Sequence, residues 1–229
     1  MPRVSVIIPA CNESHTLVEI VRRVRAAALA DQIIIVDDGS TDGTPELLPT
    51  LTSGQPPLEW IRHEQTRGKG AAIRTGLRLA GGDVVLIQDA DLEYDPADCA
   101  AVLAPFADSA VHAVYGSRNL RENPRSSAAF YWGGRALSAW ANMLYGAHLT
   151  DIATGAKAVR APLMRELNLA CDGFEFCEEI TARLLRRGVK IHEVPVSYRP
   201  RSRADGKKIR ARDGLIALWT LVRLRVERQ

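Results

Sequence analysis

Residues 4–13 have the sequence VSVIIPACNE, in which a short apolar run is followed at once by polar and acidic residues. The run Val4–Ile8 is rich in β-branched residues, which predicts a β-strand. It is almost continuously apolar rather than alternating, and this favours a strand covered on both faces, as in a parallel sheet. An apolar run with a polar end is therefore the pattern that predicts a strand of this sheet.

Similar apolar runs recur along the first half of the chain. The further predicted strands are Gln32–Val36, Leu58–Arg62, Val84–Ile87 and Val111–Tyr115. Four helices are predicted between these strands. The first has Ser14 as its N-cap, the second follows Thr44-Pro45, and the other two cover Gly68–Leu79 and Pro96–Phe106. This alternation predicts an α/β fold with a mostly parallel central sheet flanked by helices.

The pattern changes after Ser117. The elements predicted there are a helix over residues 126–145, a strand over Ala156–Val159, a helix over Glu175–Arg187, a strand over Lys190–Val194 and a helix over Lys208–Glu227. The last helix mixes apolar and basic residues and is predicted to be amphipathic. We divide the chain into a globular domain, residues 1–200, and an appended basic helix with its lead-in, residues 201–229.

Composition and charge exclude several classes of protein. With 229 residues, 46% hydrophobic and 25% charged, the chain matches ordinary globular proteins and neither disordered nor collagen-like ones. The net charge of +3 is unevenly distributed, because residues 199–229 carry ten Lys or Arg and three Asp or Glu, a net +7, whereas residues 1–198 carry −4. The sequence contains no apolar stretch of the length that a membrane span or a secretion signal needs.

The four cysteines are Cys11, Cys99, Cys171 and Cys177, and they contain no C-x-x-C pair. No histidine cluster accompanies them at the spacing of a zinc site, so we expect reduced thiols. Together with the missing signal, this predicts a cytoplasmic protein.

Polar clusters follow several of the predicted strands. They are Pro9–Glu13, Asp37–Thr44, Gln88–Asp91 and Gly116–Arg118. In an open α/β sheet, ligands bind beyond the carboxyl ends of the strands, so these clusters predict one binding site. Three of them contain carboxylates, whose burial is unfavourable unless a cation or hydrogen-bond donors accompany them.

Asp89-Ala90-Asp91 is the most informative cluster. Two carboxylates around a small residue at a strand end can converge on one hard cation and leave positions for substrate phosphates, as Mg²⁺ or Mn²⁺ requires. The alternative is a turn in which Asp91 caps a helix. Asp37 and Asp38 have the same two interpretations, since they could form a polar turn with Gly39 or accept hydrogen bonds from a ribose or base.

Arg67-Gly68-Lys69-Gly70 lies at the start of a predicted helix, where backbone N–H groups and the helix dipole favour an anion such as a diphosphate. The chain contains neither a Walker A motif nor a G-x-G-x-x-G motif after its first strand. A P-loop kinase and a Rossmann dinucleotide-binding domain are therefore disfavoured.

The four ordered motifs within the first 120 residues resemble those of family 2 glycosyltransferases of the GT-A fold, the nucleotide-diphospho-sugar transferase fold. The motifs are Ser5–Glu13, Val36–Thr44, Arg67–Gly70 and Asp89–Asp91. Later segments are similar to the branch that makes polyprenyl-phosphate (dolichol-phosphate) mannose or glucose. These segments are Gly116–Arg118, Thr150–Lys157, and Glu193–Val196 with Gly206–Lys208.

The resemblance implies a role for each matching residue. The nucleotide-sugar pocket would contain Pro9, Ala10, Asn12, Glu13, Asp37, Asp38, Lys69 and Asp89. The metal, Mg²⁺ or Mn²⁺, would be held by Asp89, Asp91 and Glu93. The acceptor phosphate would contact Arg118, Arg135, Ser138, Arg201 and Lys207. Asp91 and Arg118 would be the catalytic residues.

The expected function is therefore inverting transfer of a hexose, mannose or glucose, from GDP-mannose or UDP-glucose to a dolichyl- or undecaprenyl-type polyprenyl phosphate. A lipid phosphate is already anionic, so it needs cationic positioning rather than a general base, and arginine supplies that bidentately. The basic tail suits this acceptor and predicts peripheral binding at the cytosolic membrane face, where a transmembrane partner is compatible with the expected reaction.

Two other functions stay open at this stage. A hydroxyl acceptor on a sugar or glycan would need a base, and Glu175, Glu178 and Glu179 are the candidates. The basic tail could bind nucleic acid, but its charges are interleaved with apolar residues, so we expect no nucleic-acid partner. Whether Leu215 and Trp219 face a membrane or pack on the core is left undecided.

Overall fold

The computed structural model describes residues 2–125, 127–201, 208–209 and 211–227. The strands in these ranges are β1 (Val4–Ala10), β2 (Gln32–Asp37), β3 (Leu58–Arg62), β4 (Val84–Ile87), β5 (Ala113–Ser117), β6 (Lys157–Arg160) and β7 (Ile191–Pro195). They form one sheet in the order β3-β2-β1-β4-β6-β5-β7. Strand β6 is antiparallel to both neighbours, and the other pairs are parallel. The predicted mostly parallel α/β sheet is confirmed.

Helices connect these strands and cover both faces of the sheet. They are α1 (Leu17–Ala26), α2 (Thr44–Leu47), α3 (Lys69–Leu79), α4 (Cys99–Leu103), α5 (Ala128–Tyr145), α6 (Ala161–Glu166), α7 (Phe176–Arg186) and α8 (Ala211–Val226). Short 3₁₀ turns at Pro96–Asp98 and Ala104–Ala107 flank α4, so the helix predicted over Pro96–Phe106 is interrupted. None of the helices within the described ranges meets the length and hydrophobicity that crossing a bilayer requires.

Two local predictions are wrong. Ser14 is not the N-cap of the first helix, because its backbone N–H donates to Asp42 and the helix begins at Leu17 after Thr16. The fifth strand is displaced toward the carboxyl terminus, since Val111 closes a turn by donating to the carbonyl of Asp108.

The core consists of two layers, one on each face of the sheet. Ile34 and Val36 of β2 point to the layer that contains α3, α5, α7 and α8, whereas Ile33 and Ile35 point to the layer that contains α1 and α4. Successive residues of a strand face opposite sides, so a strand buried on both sides is apolar at every position. This explains the continuous apolar runs.

Helix α8 belongs to the core although the sequence suggested an appended element. Leu221 and Leu224 are fully buried in the layer with α5 and α7. Leu215 and Trp219 are 70% and 65% exposed, so they do not pack on the core. The helix therefore presents one face to the protein and another to its surroundings.

Candidate active site

A cavity of about 1340 Å³ opens at the carboxyl ends of β1, β2 and β4 and continues between α5 and α8. On the sheet side its walls contain Pro9, Ala10, Glu13, Asp38, Lys69, Asp89 and Asp91. On the helix side they contain Arg118, Arg135 and several apolar residues, among them Leu137, Ile209, Leu215 and Leu218. The cavity thus has a charged end at the sheet and a largely apolar end between two helices.

The loops after β1 and β2 are joined by Asn12 and Asp37. Asn12 has a left-handed backbone (φ 53°), donates from its N–H to Ser40 and accepts at Oδ1 from the N–H of Thr41 at 2.8 Å. Asp37 is fully buried, accepts from Ser40 and lies 3.2 Å from the Arg62 guanidinium. Neither residue is part of the cavity wall. Both were predicted to bind the nucleotide, and the structure places them as supports of the loops that do line the cavity.

Asp38 anchors the loop that begins α3. Its carboxylate accepts from the backbone N–H groups of Arg67 and Gly68 at 2.9 and 2.7 Å, and it lies 2.7 Å from Nδ1 of His63. Gly68 has φ +111°, and a Cβ there would lie 2.3 Å from the carbonyl oxygen of Asp172. Only glycine fits such a position. The glycine-flanked motif is therefore required for this loop to approach the segment before α7.

Asp89 and Asp91 each face a cation of the protein. Nζ of Lys69 lies 2.5 Å from Asp89, and Nη2 of Arg201 lies 3.1 Å from Asp91. Burial, together with the neighbouring Asp89 and Glu93 carboxylates, raises the pKa of Asp91 to about 7 against the opposing effect of Arg201. The two carboxylates at the end of β4 therefore favour the binding of positive charge beside them.

The residues at this point fit a divalent cation. A Cβ on Gly155 would lie 2.1 Å from Oδ2 of Asp89, so the absence of a side chain at this glycine allows the carboxylate its position. Among the described residues, no three Asp, Glu, His or Cys side chains gather around one point. Mg²⁺ is commonly held by one or two carboxylates together with substrate phosphates, so Asp89 and Asp91 are a sufficient protein contribution.

Glu93 is placed differently from the expectation that it supplies a third ligand. Its carboxylate accepts from the hydroxyl of Tyr198 and from the backbone N–H of Arg201, both at 2.7 Å. It thereby fixes the start of the segment that follows β7, and it does not join Asp89 and Asp91 in one ligand set.

Arg118 follows β5 and is held by a partner that the sequence did not reveal. Its Nε and Nη2 donate to the two oxygens of Asp151 at 2.7 Å each, and its guanidinium lies 5.0 Å from the ring centre of Tyr198. Asp151 is 1% exposed, and its own backbone N–H donates to Glu193. Asp151 thus fixes the orientation of the guanidinium, and Arg118 lines the cavity.

The other residues predicted at the acceptor phosphate have different positions. Arg135 lines the cavity, and Arg201 pairs with Glu13 and Asp91. Ser138 is buried, and its hydroxyl donates to Gly134 O and accepts from the N–H of Ile152, so it joins α5 to the loop before β6. Lys207 lies outside the described residues.

The three glutamates considered as bases are now distinguishable. Glu179 is fully buried and accepts from the N–H groups of Ala170 and Cys171. Glu175 accepts from the N–H of Gly173 and lies outside the cavity wall. Glu178 lines the cavity. The sequence did not reveal this difference, because the three glutamates lie within one segment, residues 175–179.

The amino-acid sequence is similar to those of known glycosyltransferases. A family model described as glycosyl transferase family 2 matches residues 5–160. The undecaprenyl-phosphate mannosyltransferase of Micrococcus luteus is 31% identical over 90% of this chain and 87% of the relative. The polyprenol monophosphomannose synthase of Mycolicibacterium smegmatis is 31% identical over 95% of this chain and 86% of the relative. A Methanococcus voltae enzyme named UDP-N-acetylglucosamine–dolichyl-phosphate N-acetylglucosaminyltransferase is 30% identical over 89% of both chains.

Solved structures match the fold. The UDP complex of glucosyl-3-phosphoglycerate synthase from Mycobacterium tuberculosis superposes with a TM-score of 0.76 at 20% identity, over 100% of this chain and 82% of that chain. A complex of the same enzyme with Mn²⁺, UDP-glucose and phosphoglyceric acid gives 0.76 at 21% identity, over 100% and 81% of the two chains. These likenesses confirm the predicted GT-A fold.

Proposed function

Because the chain belongs to glycosyl transferase family 2, we propose that it transfers a hexose from a nucleotide diphosphate sugar to a polyprenyl phosphate with inversion. One observation carries the proposal: a single cavity leads from the carboxylates Asp89 and Asp91, past the guanidinium of Arg118, to an apolar groove between α5 and α8. The names of the Micrococcus luteus and Mycolicibacterium smegmatis relatives support the same class of acceptor.

The sheet side of the cavity suits the donor. Asp38 lies beside the loops after β1 and β2, where hydroxyl or N–H donors of a nucleoside would meet its carboxylate. Lys69 at the N-terminus of α3 adds positive charge for a diphosphate. Asp89 and Asp91 would hold Mg²⁺ or Mn²⁺, which would supply neutralising charge to the diphosphate leaving group.

The helix side suits an amphiphilic acceptor. A phosphate monoester oxygen attacks the anomeric carbon from the face opposite the diphosphate, so the new C–O bond forms as the bond to the leaving oxygen breaks. The attacking oxygen is already anionic, and no proton has to be removed from it. Arg118, oriented by Asp151, would bind and aim this phosphate, while the groove between α5 and α8 would accept the first isoprenoid units.

The test is transfer of radiolabel from GDP-mannose and from UDP-glucose, with Mn²⁺ or Mg²⁺, to added polyprenyl phosphate. The proposal expects an acid-labile labelled product in the organic phase with one of the two donors. Labelled product that forms only with a soluble sugar or glycan would overturn it.

Transfer to a hydroxyl is the second candidate, and Glu178 is the observation that favours it. This carboxylate lines the cavity and could remove a proton from an attacking alcohol. The same assay separates the candidates, because an alcohol acceptor would give water-soluble product whose rate depends on Glu178.

Peripheral binding at the cytosolic face of a membrane is part of the proposal. Exposed apolar side chains lie on the two helices that border the groove, at Trp132 and Met143 of α5 and at Leu215, Ile216 and Trp219 of α8. Exposed arginines accompany them at Arg135, Arg212 and Arg223. Apolar and basic groups together favour the surface of an anionic bilayer, and this arrangement would bring the groove to the lipid.

A further inference from the structure

A buried carboxylate at the cavity wall has no part in the transfer to a phosphate acceptor derived above. Glu178, in the first turn of α7, is 3% exposed and lines the cavity. In the part of the chain that the structure describes, its carboxylate accepts a hydrogen bond from its own backbone N–H, and no side chain forms a hydrogen bond or a close ion pair with it. A buried carboxylate with a single backbone donor has unused acceptor positions, so this side chain is suited to a ligand that brings further donors.

The buried ammonium group of Lys157 interacts electrostatically with Glu178. Lys157 of β6 is 1% exposed, donates from Nζ to the carbonyl of Ile152 at 2.8 Å and lies 3.6 Å from the ring centre of Tyr115. Burial raises the pKa of Glu178 to about 7, and Lys157 opposes that rise. Burial likewise lowers the pKa of Lys157 to about 8. Lys157 is not part of the cavity wall, so it supports the carboxylate from inside the protein.

Glu178 lies next to the diphosphate end of the cavity. Cys177, the residue before it, also lines the cavity, and its thiol donates to the carbonyl of Thr154. Gly155, the residue after Thr154, packs closely beside Asp89, and the N–H of Gly70 donates to the carbonyl of Gly173 just before α7. The start of α7 therefore lies beside the Lys69–Asp89 pair, at the end of the cavity proposed for the diphosphate.

The surrounding charges define the kind of ligand group that fits. A carboxylate only accepts hydrogen bonds, so the ligand has to donate them. An anionic group would be repelled by Glu178 and Asp89, and a cationic one by Lys69 and Lys157. A neutral group with several hydroxyls meets all of these conditions, and sugars are such groups.

We infer that Glu178 accepts hydrogen bonds from hydroxyl groups of the donor's glycosyl moiety and thereby selects which nucleotide sugar is used. This assignment rests on the proposed function in one respect, the use of a nucleotide diphosphate sugar as donor. It makes Glu178 a specificity-determining residue, and Lys157 the group that supports its charge.

The test compares binding of sugar-bearing and sugar-free nucleotides, measured by calorimetry with Mn²⁺ and without acceptor. GDP and GDP-mannose form one pair of probes, and UDP and UDP-glucose form the other. Glu178→Gln should weaken binding of the preferred nucleotide sugar about 10- to 100-fold, the range expected for hydrogen bonds to a charged group, and leave binding of the matching diphosphate unchanged. Glu166→Gln, exposed at the end of α6, controls for the loss of one negative charge.

Two results would overturn the inference. Equal weakening of diphosphate and nucleotide sugar would make Glu178 a structural residue. Unchanged binding of both, with a fall in kcat and loss of one ionisation from the pH–rate profile, would make Glu178 a base for a hydroxyl acceptor.

A second measurement needs no variant and so does not depend on how Glu178→Gln folds. The wild-type protein is tested with donors that each lack one hydroxyl of the hexose. At least one of them should bind about 10- to 100-fold more weakly than the full sugar; equal affinity for every deoxy donor would refute the inference. Failure of the proposed function has a different signature, namely no binding of any nucleotide or binding without lipid-linked product.

Discussion

The donor half of the cavity, at the ends of β1, β2 and β4, and the acceptor half, between α5 and α8, are constructed differently. In the donor half, backbone N–H groups hold the key carboxylate, since Asp38 accepts from Arg67 and Gly68. In the acceptor half, the key cation is held by a side chain, Asp151, and the walls are helices with exposed apolar residues. The donor half is thus preorganised by the sheet, whereas the acceptor half depends on how distant helices pack.

The largest effect that we predict tests the donor half. Asp91→Asn should lower lipid-linked product formation at least about 1000-fold, because the site loses half of its metal-binding charge at the leaving group. Product is measured by organic extraction of radiolabel. Asp95→Asn is the matched control, since Asp95 is exposed and caps the 3₁₀ turn before α4. Near-normal turnover in Asp91→Asn would remove this residue from the metal site.

The next prediction is that the acceptor half can be destabilised without loss of nucleotide binding in the donor half. Leu221→Ala should destabilise the fold by about 2–5 kcal/mol, because Leu221 is fully buried between α8 and the core. Chemical denaturation measures the loss. Leu215→Ala, at a 70% exposed site, should change stability by less than about 0.5 kcal/mol. Below the melting transition, Leu221→Ala should still bind GDP or UDP; loss of nucleotide binding would contradict the independence of the two halves.

A third prediction concerns the acceptor phosphate. Arg118→Lys should raise KM for polyprenyl phosphate about 10- to 100-fold, since lysine cannot bridge Asp151 and a phosphate with a planar fork. Steady-state kinetics at saturating donor give the value. Arg22→Lys is a suitable control, because that side chain is exposed on α1, outside the cavity wall, and pairs with Glu19. If KM for the donor rose instead, Arg118 would belong to the donor half.

The smallest predicted effect is on membrane binding. Trp219→Ser should weaken binding to anionic phospholipid vesicles about five-fold, because only part of one aromatic side chain is withdrawn from the interface. Vesicle sedimentation measures it. Val18→Ser, exposed on α1 across the sheet, should leave binding unchanged. Equal losses in both variants would mean that α8 is not the membrane-facing element.

The two halves also differed in how well the sequence predicted them. Strands β1 to β4 were predicted closely, because a strand buried on both faces has a continuous apolar run and its carboxyl end has to be polar. Glycines at positions 68 and 70 were interpreted as part of an anion-binding loop, and the structure adds that they permit the close approach of residues 171–173. In the donor half, the sequence did not indicate that Asn12 and Asp37 join loops or that Glu93 holds the segment after β7.

The acceptor half was predicted less well because its contacts join residues far apart in sequence. Nothing in the local pattern connects Arg118 with Asp151, and Ser138 gave no sign that its hydroxyl is used by Gly134 and Ile152. Glu178 and Glu179 are adjacent and chemically identical, yet a helix turns them to different surroundings. Residues that act through tertiary partners cannot be separated from their neighbours by spacing alone.

Strand β6 has a consequence for the order in which the chain assembles. It follows β5 in sequence but lies between β4 and β5, antiparallel to both. Strands β1 to β4 can pair with one another from residues 4–87 alone, whereas the sheet beyond β4 closes only when residues 157–160 insert. Non-local pairings form slowly, so we expect the donor half to gain its native structure early in folding and the acceptor half to complete it. Substitutions that weaken the pairing of β6 should then slow the last step of folding more than the first.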